Sequence, residues 1–208
     1  MRNAIVVDLD RCSGCFSCEV ACKMENGIAL GSYYNKVMTV GPFGDFPHIQ
    51  QYFLPVHCQQ CEDAPCVHVC PTGASYRDPD TNVVLVDKSK CIGCKYCMMA
   101  CPYGVRSWNT DERVVEKCTL CGQLTAKGEL PACVHNCPGG ARFYGDLDDP
   151  DSDASKALAA ADKSAVHSLT DVGNKPATRY ILSSRYAEWQ ESTDLKPGVA
   201  RYMQKDGE

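Results

Sequence analysis

The stretch CIGCKYCMMACPYG, residues 91–104, places four cysteines within eleven residues and follows the last with a proline. Three other groups do nearly the same: CSGCFSCEVAC at 12–22, CQQCEDAPCVHVC at 58–70, and a divided one, CTLC at 118–121 with CVHNC at 133–137. Together they hold all sixteen cysteines of the 208-residue chain. Beyond the thiols, CPTGA at 70–74, CPYGV at 101–105 and CPGGA at 137–141 share Cys-Pro-x-Gly-small, so one supersecondary unit recurs along the chain. The first group departs from it, because Cys22 is followed by Lys23 and Met24.

Three chemistries use cysteine at this density. A disulfide needs Cα atoms about 4.4–6.8 Å apart with matched side-chain directions, which four thiols in one short loop satisfy only with strain. A single C-x2-C is a common zinc knuckle, and tetrahedral zinc usually takes two such pairs from opposite sides. A third cysteine at the same interval, as in Cys91, Cys94 and Cys97, instead wraps three thiolates around one corner of a larger body. The run C-x2-C-x2-C-x3-C-P is that of bacterial ferredoxins, whose fourth cysteine ligates the other cluster of a pair. Cys91, Cys94, Cys97, Cys101 and Pro102 match it throughout; the second group reads C-x2-C-x4-C-x3-C-P and the fourth C-x2-C-x11-C-x3-C-P. Sixteen ligands at four per cluster predict four [4Fe–4S] clusters.

With the cysteines set aside, the 44% apolar fraction leaves a thin aliphatic and aromatic supply, so the fold is expected to depend on its cofactors. The net charge of −5 comes from scattered acids, with no basic stripe, which argues against a nucleic-acid partner. Oxidised clusters at about −2 each would add about −8. No apolar run reaches the ~18 residues of a membrane span. MRNAIVVDLDRC lacks the apolar stretch of a secretory signal and a twin-arginine pair, so a chain that leaves the cytoplasm is expected to travel bound to another protein. There is no G-x-S-x-G elbow, no phosphate-binding GK[ST] loop and no G-x-G-x-x-G, so no catalysis is expected from this chain alone.

The segments between groups are short. AIVVDL and NVVLVD read as strands, RDPDTN at 77–82 as the turn that lets ASY pair with VVLVD, and ARFYGD as a further strand. The three residues between the last two cysteines of a group span one helical turn, so the fourth thiol is expected to open a short helix. After Asp146, DLDDPDSDASKALAAADKSAV reads as a helix capped by Ser or Asp, and KPATRYILSSRYAEW as extended or irregular. The fold class is α+β with small sheets, short helices and many loops. His57, His68 and His135, and the cations Arg11, Lys90, Lys95 and Lys117, stand beside cysteines either as tuners of a cluster or as surface groups.

RCSGCFSCEVACK, HCQQCEDAPCVHVCPTGA, KCIGCKYCMMACPYG and KCTLC…CVHNCPGGA, over residues 1 to 146, resemble the electron-transfer (beta) subunits of the dimethyl sulfoxide reductase family of complex iron–sulfur molybdoenzymes. The tail matches only in PATRYIL. The resemblance implies two nested ferredoxin-like units: an outer one from 1–47 and 105–146, an inner one from 48–104, and a docking tail over 147–208. It implies the ligand sets Cys12, Cys15, Cys18 and Cys137; Cys22, Cys118, Cys121 and Cys133; Cys58, Cys61, Cys66 and Cys101; and Cys70, Cys91, Cys94 and Cys97. It also implies a molybdenum or tungsten bis-pterin catalytic partner, a separate quinone-reactive membrane anchor, and export with that partner. Against a dedicated subunit stand a free polyferredoxin carrier, which would need neither the tail nor the unequal insertions, and a cytoplasmic location.

Overall fold

The computed structural model describes residues 1–185 and 187–190. The strands and helices, in chain order, are β1 (Asn3–Asp8), α1 (Ser17–Asn26), β2 (Asn35–Phe43), β3 (Gln50–His57), α2 (Pro65–His68), β4 (Ser75–Arg77), β5 (Val84–Val86), α3 (Tyr96–Met99), β6 (Arg106–Asn109), β7 (Val114–Lys117), α4 (Gly122–Thr125), α5 (Ala132–His135), β8 (Arg142–Asp146), α6 (Asp153–Ala160), β9 (Val166–His167) and β10 (Arg179–Ile181). This is the α+β architecture of small elements that the sequence predicts.

The apolar run of β1 makes it the buried centre of a sheet ordered β8-β1-β10-β9, antiparallel to β8 and parallel to β10. Three separate hairpins, β2–β3, β4–β5 and β6–β7, complete the strands. The turn expected over 77–82 forms as read: Asp78 Oδ1 accepts from the Asp80 and Thr81 N–H groups, and Ser75 pairs with Val86. The cap of α6 is Ser152, whose Oγ accepts from the Ser155 N–H at 3.1 Å. Among the described residues no helix is long and apolar enough to cross a membrane.

The short helices differ from expectation in phase. In the last three groups the third cysteine lies inside the helix, Cys66 in α2, Cys97 in α3 and Cys133 in α5, and the fourth follows its end. Proline after the fourth thiol explains the stop, since it disfavours helical backbone in the residue before it. Where Lys23 replaces that proline, α1 runs on through both Cys18 and Cys22 for ten residues. Helix α1 packs against α5, and α2 against α3.

The tail is part of the core at least as far as residue 190. Strand β10 falls in the stretch expected to be extended or irregular, and it supplies Tyr180, which is fully buried. The Tyr180 hydroxyl accepts from Gln59 Nε2 at 3.1 Å and lies 3.3 Å from the Pro55 carbonyl oxygen. Trp189 stacks on His167 at 5.0 Å. The main apolar cluster joins aliphatic residues such as Ile5, Leu54 and Leu182 to Cys18, Cys22, Cys58, Cys118 and Cys133. These five thiols are thus part of the core, in line with the thin apolar supply.

Candidate metal centres

The ligand loops share one backbone device. In the first C-x2-C of every group the residue before the second cysteine has left-handed backbone: Gly14 at φ +67°, Gln60 at +48°, Gly93 at +70° and Leu120 at +54°. Such a residue turns successive N–H groups towards one side, making a concavity suited to anions. The Leu120 N–H accordingly reaches Cys118 Sγ at 3.5 Å. At two of these positions glycine is also a steric need. A Cβ on Gly14 would sit 2.5 Å from the Phe53 ring, and one on Gly93 3.0 Å from Trp108.

The fourth thiols are held by a second repeated turn. Gly73, Gly104 and Gly140 each donate an N–H to the carbonyl of the cysteine three places earlier, at 3.3, 3.3 and 3.0 Å. Behind this turn the Ser75 N–H meets Cys70 Sγ and the Ala141 N–H meets Cys137 Sγ, both at 3.3 Å. Cys22, without the proline turn, has Asn26 instead, whose Nδ2 lies 3.7 Å from the sulfurs of both Cys22 and Cys121.

All sixteen cysteines are unbridged. One hollow is lined by Cys12, Cys15, Cys18 and Cys137 with Arg142, and another by Cys58, Cys61, Cys66 and Cys101 with Arg106. Cys22 stands among Cys118, Cys133 and Cys121, whose charges add to burial in pushing its thiol up. Cys97 stands beside Cys70; its loop also carries Cys91 and Cys94. Other thiols are near enough to act on each other electrostatically: Cys18 with Cys133, Cys118 with Cys58, and Cys66 with Cys97. Burial pushes the thiols of Cys61 and Cys118 up to about 12. In water they would stay protonated, so coordination to a cation must displace their protons.

Among the described residues, no three His, Cys, Asp or Glu side chains gather closely enough to hold a single metal ion. The two lined hollows instead put four thiols around a shared space, with no carboxylate or imidazole among the donors. An all-thiolate polynuclear cluster fits this set, because each iron takes one thiolate.

Polar groups without a sequence signal of their own complete the sites. Asn35 Nδ2 donates to Cys18 Sγ at 3.3 Å, and Asn174 Nδ2 to Cys61 Sγ at 2.9 Å. Arg106 and Arg142 are buried. Extending the C-P-x-G repeat by one residue would have found both arginines; the two asparagines come from distant segments and carry no local signal. Of the cations adjacent to cysteines in the chain, Lys117 is buried with its Nζ on the Cys118 carbonyl at 2.6 Å, in a position to act on that site. Lys90 is exposed and pairs with Asp87, Lys95 lies over Trp108, and Arg11 lies over Phe143. His68 and His135 are exposed at helix ends, whereas His57 is fully buried with Nδ1 3.4 Å from Arg142 Nη2.

Loops shaped for thiolate and hollows lined by four cysteines define an iron–sulfur protein of the electron-transfer class. Residues 49–147 match the 4Fe–4S dicluster domain family. The iron–sulfur subunit of a dimethyl sulfoxide reductase from Halobacterium salinarum is 43% identical over 85% of this chain and 78% of its own length. A sulfite dehydrogenase subunit of Allochromatium vinosum is 41% identical over 86% and 82%. The arsenate respiratory reductase iron–sulfur subunit of a Shewanella species is 35% identical over 88% and 97%. The chain belongs to this family, the iron–sulfur electron-transfer subunits of the dimethyl sulfoxide reductase type.

Proposed function

We propose that the chain is the non-catalytic relay subunit of an oxidoreductase complex and holds four [4Fe–4S] clusters. The ligand sets are Cys12/Cys15/Cys18/Cys137, Cys22/Cys118/Cys121/Cys133, Cys58/Cys61/Cys66/Cys101 and Cys70/Cys91/Cys94/Cys97, in that spatial order. The first two sets form the outer unit and the last two the inner. The observation that carries this reading is the grouping of thiols. Two sets line hollows of their own, and thiols of consecutive sets lie near enough to act on each other electrostatically, Cys18 with Cys133, Cys118 with Cys58 and Cys66 with Cys97. The packing of α1 on α5 and of α2 on α3 supports the nested pairing.

Bound there, the clusters supply one-electron redox chemistry, with every iron held by thiolate and none open to substrate. The protein residues keep the sets rigid, exclude water from the middle two, and leave a way in at each end. Cys15 of the first set and Cys94 of the last are exposed. Exposed apolar side chains flank both, Phe16, Val20 and Met24 at one end and Ile92, Tyr96 and Met99 at the other. Two exposed termini suit a relay between two partners. The names of the relatives make a reductase or dehydrogenase catalytic subunit one of them. We assign it as a molybdenum or tungsten bis-pterin subunit, with a separate quinone-reactive membrane subunit as the other and export in the company of the first.

The test is anaerobic native purification through a tag on this chain, with mass spectrometry of bound proteins and metal analysis. About sixteen irons per chain and a bound pterin–metal subunit are expected. Sixteen irons with no partner would replace this reading by a free polyferredoxin, and zinc in place of iron would remove the cluster assignment altogether.

A further inference from the structure

The internal repeat continues one residue beyond the turns that hold the fourth thiols. CPYGVR at 101–106 and CPGGAR at 137–142 both place arginine five positions after the cysteine, as the first residue of β6 and of β8. The corresponding positions after Cys70 and Cys22 are Ser75 and Gly27. Each proposed pair of ligand sets therefore has one such arginine: Arg142 lines a hollow of the outer pair, and Arg106, just beyond residues 48–104 in the chain, lines one of the inner pair.

Both side chains are almost fully enclosed, 4% exposed for Arg142 and 5% for Arg106. Arg142 Nη1 donates to Asn35 Oδ1 at 3.0 Å, and Arg106 Nη2 to Ser75 Oγ at 2.8 Å. Arg142 Nε and Arg106 Nη1 are buried without a protein acceptor. Among the described residues neither guanidinium has a carboxylate partner within 4.0 Å. A guanidinium cannot shed its charge, and a charge taken from water without a counter-ion is strongly disfavoured. The anionic groups available are thiolates. Each arginine lines a four-cysteine hollow, where it meets Cys18 (Arg142) or Cys66 (Arg106), and each also lies near a thiol of the neighbouring set: Cys133 for Arg142 and Cys97 for Arg106.

Building on the ligand sets proposed above, we infer that Arg106 and Arg142 are equivalent electrostatic residues. Each is the fixed positive charge shared by the two clusters of its unit, favouring their reduced, more negative state. Reduction adds an electron to each site without changing the protein around it. A nearby buried cation lowers the cost of that electron in both members of a pair together and has little effect on the other unit. In the outer unit the buried Lys117 adds to this beside Cys118 alone.

The experiment is a potentiometric titration of the purified holoprotein, followed by electron paramagnetic resonance, on wild type, R106Q, R106K, R142Q and R142K, with iron measured per chain. In R106Q the reduced-to-oxidised ratio of the inner pair at a fixed ambient potential should fall about tenfold, which is about 59 mV for a one-electron couple. The outer pair should stay put. R142Q should do the converse, and the lysine variants should keep values near wild type. Full iron content with unmoved potentials in the glutamine variants would overturn the inference, as would lysine variants shifted as far as glutamine ones. If a glutamine variant loses iron, retention of iron and potential by its lysine counterpart supports the role of charge. Loss in both assigns the residue to shape and overturns the inference. Wild-type protein without iron would instead defeat the cluster reading on which it rests.

Discussion

The hollow lined by Cys12, Cys15, Cys18 and Cys137 and the one lined by Cys58, Cys61, Cys66 and Cys101 are shaped by like loops but closed by different parts of the chain. The first is covered by the long hairpin β2–β3, which brings Phe53 against Gly14 and Asn35 to Cys18. Beside the second stand two short hairpins, with Trp108 of β6 against Gly93 of the next ligand loop. The cover of the second hollow comes from the tail, where Asn174 touches both Cys61 and the Tyr103 hydroxyl and the Lys175 carbonyl accepts from the Glu62 N–H. An aromatic ring pressed on the first-loop glycine thus arises twice from positions that do not correspond in sequence. Where the loop carries glycine a ring lies on it, and the loop leaves open which segment supplies that ring.

This contrast can be broken most severely by removing the iron. The two larger apolar clusters both count cysteines among their residues, so anaerobic chelation should abolish cooperative unfolding as followed by circular dichroism. An apoprotein that keeps a sharp transition would show that side chains alone suffice. Next in size come the two glycines. Gly14→Ala and Gly93→Ala each force a Cβ into left-handed backbone at about 1–2 kcal/mol and crowd a ring at about 1–3 kcal/mol more. The closer Phe53 contact makes Gly14→Ala the worse of the two in denaturant titrations of the holoprotein. A double-mutant cycle with Phe53→Leu should recover part of the cost; strict additivity would mean the ring is not the obstacle.

A smaller effect separates the tail from the loops. Tyr180→Phe leaves Gln59 Nε2 without its acceptor on β10, and should destabilise the holoprotein by about 1–3 kcal/mol with little change in iron content. Smallest in stability is Asn174→Ala, which removes a hydrogen bond to the Cys61 sulfur. Such bonds help set cluster potentials, so one inner-unit potential should fall while the outer unit is untouched. An equal shift in all four would show that the tail acts globally and not on the inner hollow.

Much of this molecule is legible locally. The C-x2-C-x2-C spacing is a statement about short covalent reach, and three thiols so placed can only face one body. The proline after the fourth cysteine sets where a helix must end, and its replacement by Lys23 lets α1 continue. Turn chemistry at Asp78 and the cap at Ser152 are likewise contained within a few residues. The short helices fall out of the expected phase because spacing alone does not say whether a thiol starts a turn or closes it.

The family therefore follows from the sequence by itself, because the cysteine runs that mark it are written in intervals of two and three residues. Tertiary structure decided which charges are internal. Arg106 and Arg142 share a place after the Cys-Pro-x-Gly turn, which by itself says nothing of burial, while Arg11, Lys90 and Lys95, adjacent to cysteines, turn out to lie at the surface. It also decided that β10 inserts beside β1 and that Asn35 and Asn174 reach sulfurs 17 and 113 residues away. Burial and long-range contact are properties of the assembled core, and no short interval in the chain records them.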